Sequence, residues 1–296
     1  MTHHTYCQFH LGDNLIVLNL LRRLAARYPE HRFIHAAKSG WLPQLREVVK
    51  DLPAISLVPM EQRPAGAIHA WSGAGRLLWC LPFGGFRDRH PDKFNWSRFH
   101  IDWLRHFAGQ LGLESPINKP EDLLFDYPAI REPVMPDWKC DVLVINSRPG
   151  SGQLKAYQTA SSWKHRYRQR FGKGGVEIHP EDEFLTPVIA RLIAAGHHVV
   201  TTQPYRPPAG ASLTIPPCTA DHGLSVTGIG NLSLRCKYIV MVATGPMWPT
   251  LNVWNVDTVK LRAILLDVER LNLPGNMSYA STVADVNQML QREGLV

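Results

Sequence analysis

Long apolar runs are missing from this 296-residue chain, and no window approaches the roughly 18 uninterrupted apolar residues that a membrane helix needs. That excludes a membrane-spanning helical protein. The opening MTHHTYCQFH has no basic start followed by an apolar core, so no secretory signal is expected. Cysteine is sparse as well. The five present (Cys7, Cys80, Cys140, Cys218 and Cys236) are widely spaced and never form C-x-x-C, which argues against a disulfide framework or a structural zinc site. A reducing, cytoplasmic setting is the expectation. Neither H-E-x-x-H nor G-x-S-x-G occurs, so His3, His4, His10 and the pair His197-His198 read as surface or core histidines rather than metal ligands, and the simplest hydrolase is excluded.

Acidic residues are absent from one particular segment. Residues 148–176 carry Arg148, Lys155, Lys164, Arg166, Arg168, Arg170 and Lys173 with no Asp or Glu among them, and the rest of the chain balances at 25 basic against 25 acidic residues. The formal net charge of +7 is thus a property of one stretch. A uniformly basic surface points to a polyanion, whereas a single basic segment points to a local anionic ligand. Arg166, Arg168 and Arg170 are spaced so that a helix spreads them around its circumference, which is the pattern of a solvated face. Trp163, beside this run, is placed either to stack on a base or sugar ring or simply to pack.

What is present in abundance is a β-α-β rhythm. Residues 6–10 read as a short strand, Leu11-Gly12-Asp13-Asn14 as a turn, and Leu15, Leu18, Leu21, Leu24 and Ala25 recur at helical spacing up to Tyr28-Pro29. Strands are predicted at 32–36, 55–58, 67–71 and 77–81, with a helix over 40–50. Phe99, Trp103, Phe107 and Leu111 fall on one face of a helix running from Asn95 to near Gly112, a stripe that reads as core. Residues 116–136, rich in proline, are the best linker.

The same grammar restarts at 141–146 (DVLVIN), a buried strand followed by a loop at 147–152. A helix reaching Gly196 follows acids at 181–183, with Pro187 either kinking it or marking its first turn. Then come a strand at 198–202, a turn and short helix over 224–234, a strand at 238–242, a helix opened by Thr244-Gly245-Pro246, a strand at 260–266 and an amphipathic helix at 282–291. The fold class is α/β: two Rossmann-like αβα domains, residues 1–136 and 137–296, each with a mostly parallel sheet.

Ligands of open parallel sheets bind outside the carboxyl ends of the strands, and the first strand-to-helix turn is the usual place. Here that turn is Gly12-Asp13. Gly12 permits close approach of a ligand, and the free amides at the helix start favour negative charge. Asp13 is either a general base or a helix cap whose carboxylate is taken up by backbone amides. The run HLGDNLIVLNLLRRLAARYPEHRFIHAA resembles the opening of the ADP-heptose transferase family of GT-B glycosyltransferases, in which a G-D-x-L turn precedes a long helix, a proline and the second strand. FHIDWLRHFAGQLGL, DVLVINSRPGSG and GLSVTGIGNLSLRCKYIVMVATGPMWPTLNV resemble, in order, a late helix of that family's first domain, the strand and phosphate-side loop opening its second, and its donor-site stretch.

The resemblance implies two domains facing across a cleft and an inverting transfer of a sugar from a nucleotide-diphosphate-sugar to a hydroxyl acceptor. Asp13 matches the family's proposed catalytic base, and its neighbours Gly12 and Asn14 are counted with the residues that bind the donor diphosphate. Ser147, Arg148 and Lys155, with Lys164 next, match or adjoin the loop that contacts the donor diphosphate, and Thr244, Gly245 and Pro246 match the second diphosphate-binding turn. Guanidinium and ammonium groups stabilise a departing diphosphate without a metal, and no D-x-D occurs in the chain, so neither metal nor cofactor is expected. The family commonly has an acid before the T-G pair and a histidine three residues after the glycine; this chain has Ala243 and Trp248. That departure supports an alternative, a catalytically inactive relative that only binds a nucleotide or another anion. A third reading is a nucleic-acid-binding protein using residues 155–173 with Trp163 and Tyr167 as stacking partners, its affinity falling steeply with salt.

Overall fold

The computed structural model describes residues 1–7, 10–60, 77–79, 95–133, 136–146, 185–207, 210, 212–242, 244–265, 272–280 and 283–296. The first half holds β1 (Thr2–Cys7), α1 (Leu11–Arg27), β2 (Arg32–Ala37), α2 (Leu42–Val49), β3 (Ile55–Pro59), β4 (Leu77–Trp79) and α3 (Trp96–Gln110). The second holds β5 (Val142–Ile145), α4 (Thr186–Ala194), β6 (Val199–Thr201), α5 (Val226–Ser233), β7 (Tyr238–Val242), a 3-10 helix (Gly245–Thr250), β8 (Leu261–Leu265), β9 (Met277–Ala280) and α6 (Val283–Arg292). The described strands form two sheets, ordered β3-β2-β1-β4 and β6-β5-β7-β8-β9, and every pairing is parallel.

Parallel sheets bury both faces, and the central strands show it: all four residues of β5 and all five of β8 are buried. One core cluster joins the halves, running from Leu15, Leu18 and Phe33 through Phe107 and Ile130 to Ile229, Met247 and Ile264. A smaller cluster under α4 and α6 covers the other face of the second sheet. The aromatic stripe of α3 packs inward as its spacing predicts, with Phe99, Trp103, Phe107 and Leu111 all buried and the Asn95 side chain accepting from the Arg98 amide as a cap.

Several boundaries differ from the sequence reading. The first strand, expected at 6–10, already starts at Thr2, where its register against β2 sets Thr2 opposite Arg32, and it is described to Cys7; residues 8–9 lie outside the described residues. Leu11-Gly12-Asp13-Asn14 is the first turn of α1, not a turn ahead of it. The Asn14 amide already donates to the His10 carbonyl at 3.2 Å, so the helix begins one turn before its leucine periodicity. Thr244-Gly245-Pro246 opens a 3-10 helix, in which Pro249 lacks the N–H that would propagate an α-helix. Pro187 sits in the first turn of α4 and does not kink it.

The proline-rich stretch is packed into the core. Ile117, Leu123, Leu124, Phe125, Tyr127 and Ile130 are buried, and Pro120 and Pro128 start two short 3-10 turns. Its backbone also joins the second half: the Phe125 amide donates to Leu251 O at 2.8 Å, the Val253 amide to Phe125 O at 3.1 Å, and Asn231 Nδ2 to Ile130 O at 2.8 Å. The strand expected at 67–71, the loop at 147–152 and the acids at 181–183 lie outside the described residues.

Candidate functional site

The two turns singled out in the sequence meet in the structure. β1 delivers Gly12 and Asp13 at the N-terminus of α1, and β7 delivers Thr244 and Gly245, both at carboxyl ends of strands in the interior of their sheets. A methyl group on Gly245 would lie 3.3 Å from the Gly12 amide nitrogen and 3.3 Å from Leu11 Cβ, so the two backbones approach too closely to admit a side chain between them comfortably. Glycine at both positions is what allows that approach.

Trp248 covers Gly12. A methyl group there would meet Trp248 Nε1 at 2.8 Å and Cδ1 at 3.0 Å. The indole, 7% exposed, also touches the buried His100 ring of α3 (centroids 5.7 Å apart) and Phe125 (6.1 Å). The space that the sequence reading gave to a ligand above Gly12 therefore holds a tryptophan of the other half.

Asp13 reaches back along its own helix, where one carboxylate oxygen accepts from the His10 amide at 3.1 Å. Asp13 thus satisfies one of the amide donors that open α1 and adds a negative charge where the helix dipole favours it. Asn14 points the other way. It is fully buried, its side-chain Nδ2 donates to His10 O at 2.8 Å, and its Oδ1 lies 3.0 Å from His35 Nε2. His35 Nδ1 is 2.9 Å from Thr5 Oγ1. The side-chain oxygen of Asn14 can only accept, which makes Nε2 the protonated ring nitrogen and Nδ1 the acceptor for the Thr5 hydroxyl. Complete burial lowers the His35 pKa to about 3, so the ring is neutral. This chain of contacts ties the first turn of α1 to β1 and β2.

Two side chains that the sequence reading did not assign to the site adjoin it. His10 caps α1, and burial, with the Lys38 ammonium second, holds its imidazole below the usual histidine range. Lys38 follows directly on β2, at the carboxyl edge next to β1, and is a described cation beside the Asp13 turn. Its position two residues past the strand expected at 32–36 was the available signal. The Thr244 hydroxyl is buried with no hydrogen-bond partner among the described residues, so its donor capacity is unspent. Pro246 is half-buried in the same turn.

Ser147, Arg148, Lys155 and Lys164 lie outside the described residues. Among the described residues no three His, Cys, Asp or Glu side chains are grouped to hold a metal, and no helix is long and apolar enough to cross a membrane.

No family model matches the chain, and no curated protein matches it in sequence. Solved structures do match. Escherichia coli heptosyltransferase WaaC with ADP superposes with a TM-score of 0.53 at 13% identity, covering 99% of this chain and 98% of that one. The same enzyme with ADP-2-deoxy-2-fluoro heptose gives 0.54 at 12% identity over 99% and 100%. E. coli ADP-heptose LPS heptosyltransferase II gives 0.50 at 14% identity over 99% and 100%. At these identities the likeness is one of fold, and along nearly its whole length this chain has the fold of the heptosyltransferase-type glycosyltransferases.

Proposed function

We propose that the protein is an inverting glycosyltransferase that moves a sugar from a nucleotide-diphosphate-sugar to a hydroxyl acceptor, with Asp13 as general base and no metal. The supporting observation is the junction of Gly12-Asp13 with Thr244-Gly245 at the carboxyl ends of two parallel sheets, in a fold shared with enzymes solved with ADP and an ADP-heptose analogue. In this reading the two halves face each other across a cleft that opens beside the contact of these turns. The acceptor oxygen attacks the anomeric carbon as the bond to the diphosphate breaks, and the acceptor proton passes to the Asp13 carboxylate. The His10 amide, donating to one of its oxygens, fixes the carboxylate in direction. The Thr244 hydroxyl, the Lys38 ammonium and the cations of 148–164 take up the charge growing on the departing nucleoside diphosphate. A cytoplasmic setting, where such donors are made, belongs to the same reading.

Asp13→Asn tests the mechanism, because its side-chain oxygen still accepts from the His10 amide while its basicity is gone. Transfer falls by roughly 10²- to 10⁴-fold with nucleoside diphosphate binding unchanged. Undiminished turnover removes Asp13 as base, and failure of every nucleoside diphosphate to raise the melting temperature removes the whole reading. One observation favours a second reading: Trp248 fills the space over Gly12, as expected of a relative that binds a nucleoside diphosphate but never releases one from its sugar conjugate.

A further inference from the structure

The sequence spacing of the cysteines conceals a pair. Cys140 lies two residues before β5 and Cys236 two residues before β7. These strands are parallel neighbours with Val142 opposite Tyr238, so stepping back two residues on each brings 140 opposite 236 with both side chains on the same face. The backbone keeps the strands together there, since the Lys237 and Tyr238 amides both donate to Asp141 O, at 3.1 and 3.2 Å.

Adjacent strands hold opposite α-carbons at a separation within the range that a disulfide spans. The sulfurs of Cys140 and Cys236 are 2.7 Å apart, closer than two unbonded sulfur atoms rest. Both residues are buried, at 6% and 3% exposure, inside the core cluster common to both halves. Cys236 Sγ also donates to Leu232 O at 3.1 Å, which fixes it on the last turn of α5. Cys7 and Cys218, the other described cysteines, are buried elsewhere and take no part.

We propose that Cys140 and Cys236 are a dithiol that closes to a disulfide by exchange with a low-molecular-weight disulfide. One protein thiolate attacks a sulfur of the small disulfide and expels one small thiol. The second protein thiolate then attacks the mixed disulfide and expels the other. The protein loses two protons and two electrons and gains one S–S bond, while the small disulfide is reduced to two thiols. The pair is separated by 96 positions, and the closed loop contains α4, α5 and the whole basic segment from Arg148 to Lys173. The bond therefore restricts the unfolded chain over the region that carries most of the proposed donor cations. It forms at the amino ends of β5 and β7, the opposite edge of the sheet from Thr244, so closure leaves the site geometry in place.

The test uses the full chain incubated with oxidised glutathione, in native buffer and in urea just below the unfolding transition, so that burial does not limit access in the second arm. Free thiols are then blocked and the protein is mapped by mass spectrometry. The expected result is a linked peptide joining Cys140 to Cys236, a thiol count lower by two, and a melting temperature raised by roughly 5–10 °C that dithiothreitol reverses. Cys236→Ala and Cys140→Ala each remove the link and the rise. Persistence of both thiols in both arms overturns the proposal, as does stable glutathione capping or pairing through Cys7 or Cys218. None of these readouts uses glycosyl transfer, so failure here leaves the reading of Asp13 untouched.

Discussion

Gly12→Ala adds a single methyl group at the point where the two halves touch. Gly12 does not require glycine for its backbone angle; what requires it is the neighbour, Trp248 Nε1, which would lie 2.8 Å from the new carbon. Alanine within a helix gains up to about 1 kcal/mol over glycine. Forcing an extra carbon into a packed core costs about 1–3 kcal/mol, and here the atoms that must yield belong to a rigid indole pinned against His100 and Phe125. The net expectation is a loss of about 1–2 kcal/mol, or a melting temperature lower by roughly 2–6 °C. Trp248→Phe removes the pyrrole nitrogen and with it the closest contact. In that background the same Gly12→Ala change becomes neutral or stabilising by up to about 1 kcal/mol, so the double-mutant cycle closes with a coupling of about 1–3 kcal/mol. Urea unfolding of the four proteins measures it. Equal effects of Gly12→Ala in both backgrounds would falsify the contact as the reason for glycine at this position.

Two further perturbations read the buried polar groups. His35 is neutral in the fold with a pKa lowered from 6.5 to about 3, so the unfolded chain binds its proton first as acid is added. Its contribution is complete above about pH 6.5 and is lost as pH falls toward 3, by up to about 4–5 kcal/mol. His35→Gln flattens the stability profile between pH 6.5 and 4 in urea titrations, and an unchanged slope would sink the assignment. Arg262, 1% exposed, donates through one nitrogen to Asn255 O and Oδ1 at 2.8 and 2.7 Å, while its Nε and other terminal nitrogen have no partner among the described residues. Asn255→Ala strips that cation of side-chain support and costs roughly 2–4 kcal/mol, whereas Arg262→Met removes the buried charge and costs less; the reverse order of urea midpoints contradicts this account.

Much of the architecture was legible because parallel strands are continuous apolar runs and amphipathic helices repeat at fixed spacing. β2, β3, β5, β7 and the stripe of α3 all follow from such patterns. The start of α1 was missed because Gly12 and Asp13 are turn formers by type, and their placement in a helix depends on Asp13 bonding back to His10. The proline-rich stretch misled for a related reason: proline signals the local break but says nothing of the burial of Phe125 or Tyr127 between them. Asp13 and Thr244 stood out as residues at strand ends, yet the contact of Trp248 with Gly12 and that of Cys140 with Cys236 join positions far apart in the chain. Those depend on sheet register and on how the halves pack, which no local pattern records. Asn14, counted with the donor residues from its neighbours' motif, turns inward instead to His35.

The bonds between residues 125–130 and the second half also set a clock for biosynthesis. The Phe125 amide and carbonyl await Leu251 and Val253, and the Ile130 carbonyl awaits Asn231, all synthesised at least 100 residues later. At about 5–20 residues per second those groups and the apolar side chains around them stay uncovered for roughly 5–25 s after they appear. The first half therefore cannot complete its own surface while the second is still being made. Expressed alone it would present a row of unmet backbone groups beside Phe125 and Ile130, a template for self-association that the later half removes by arriving.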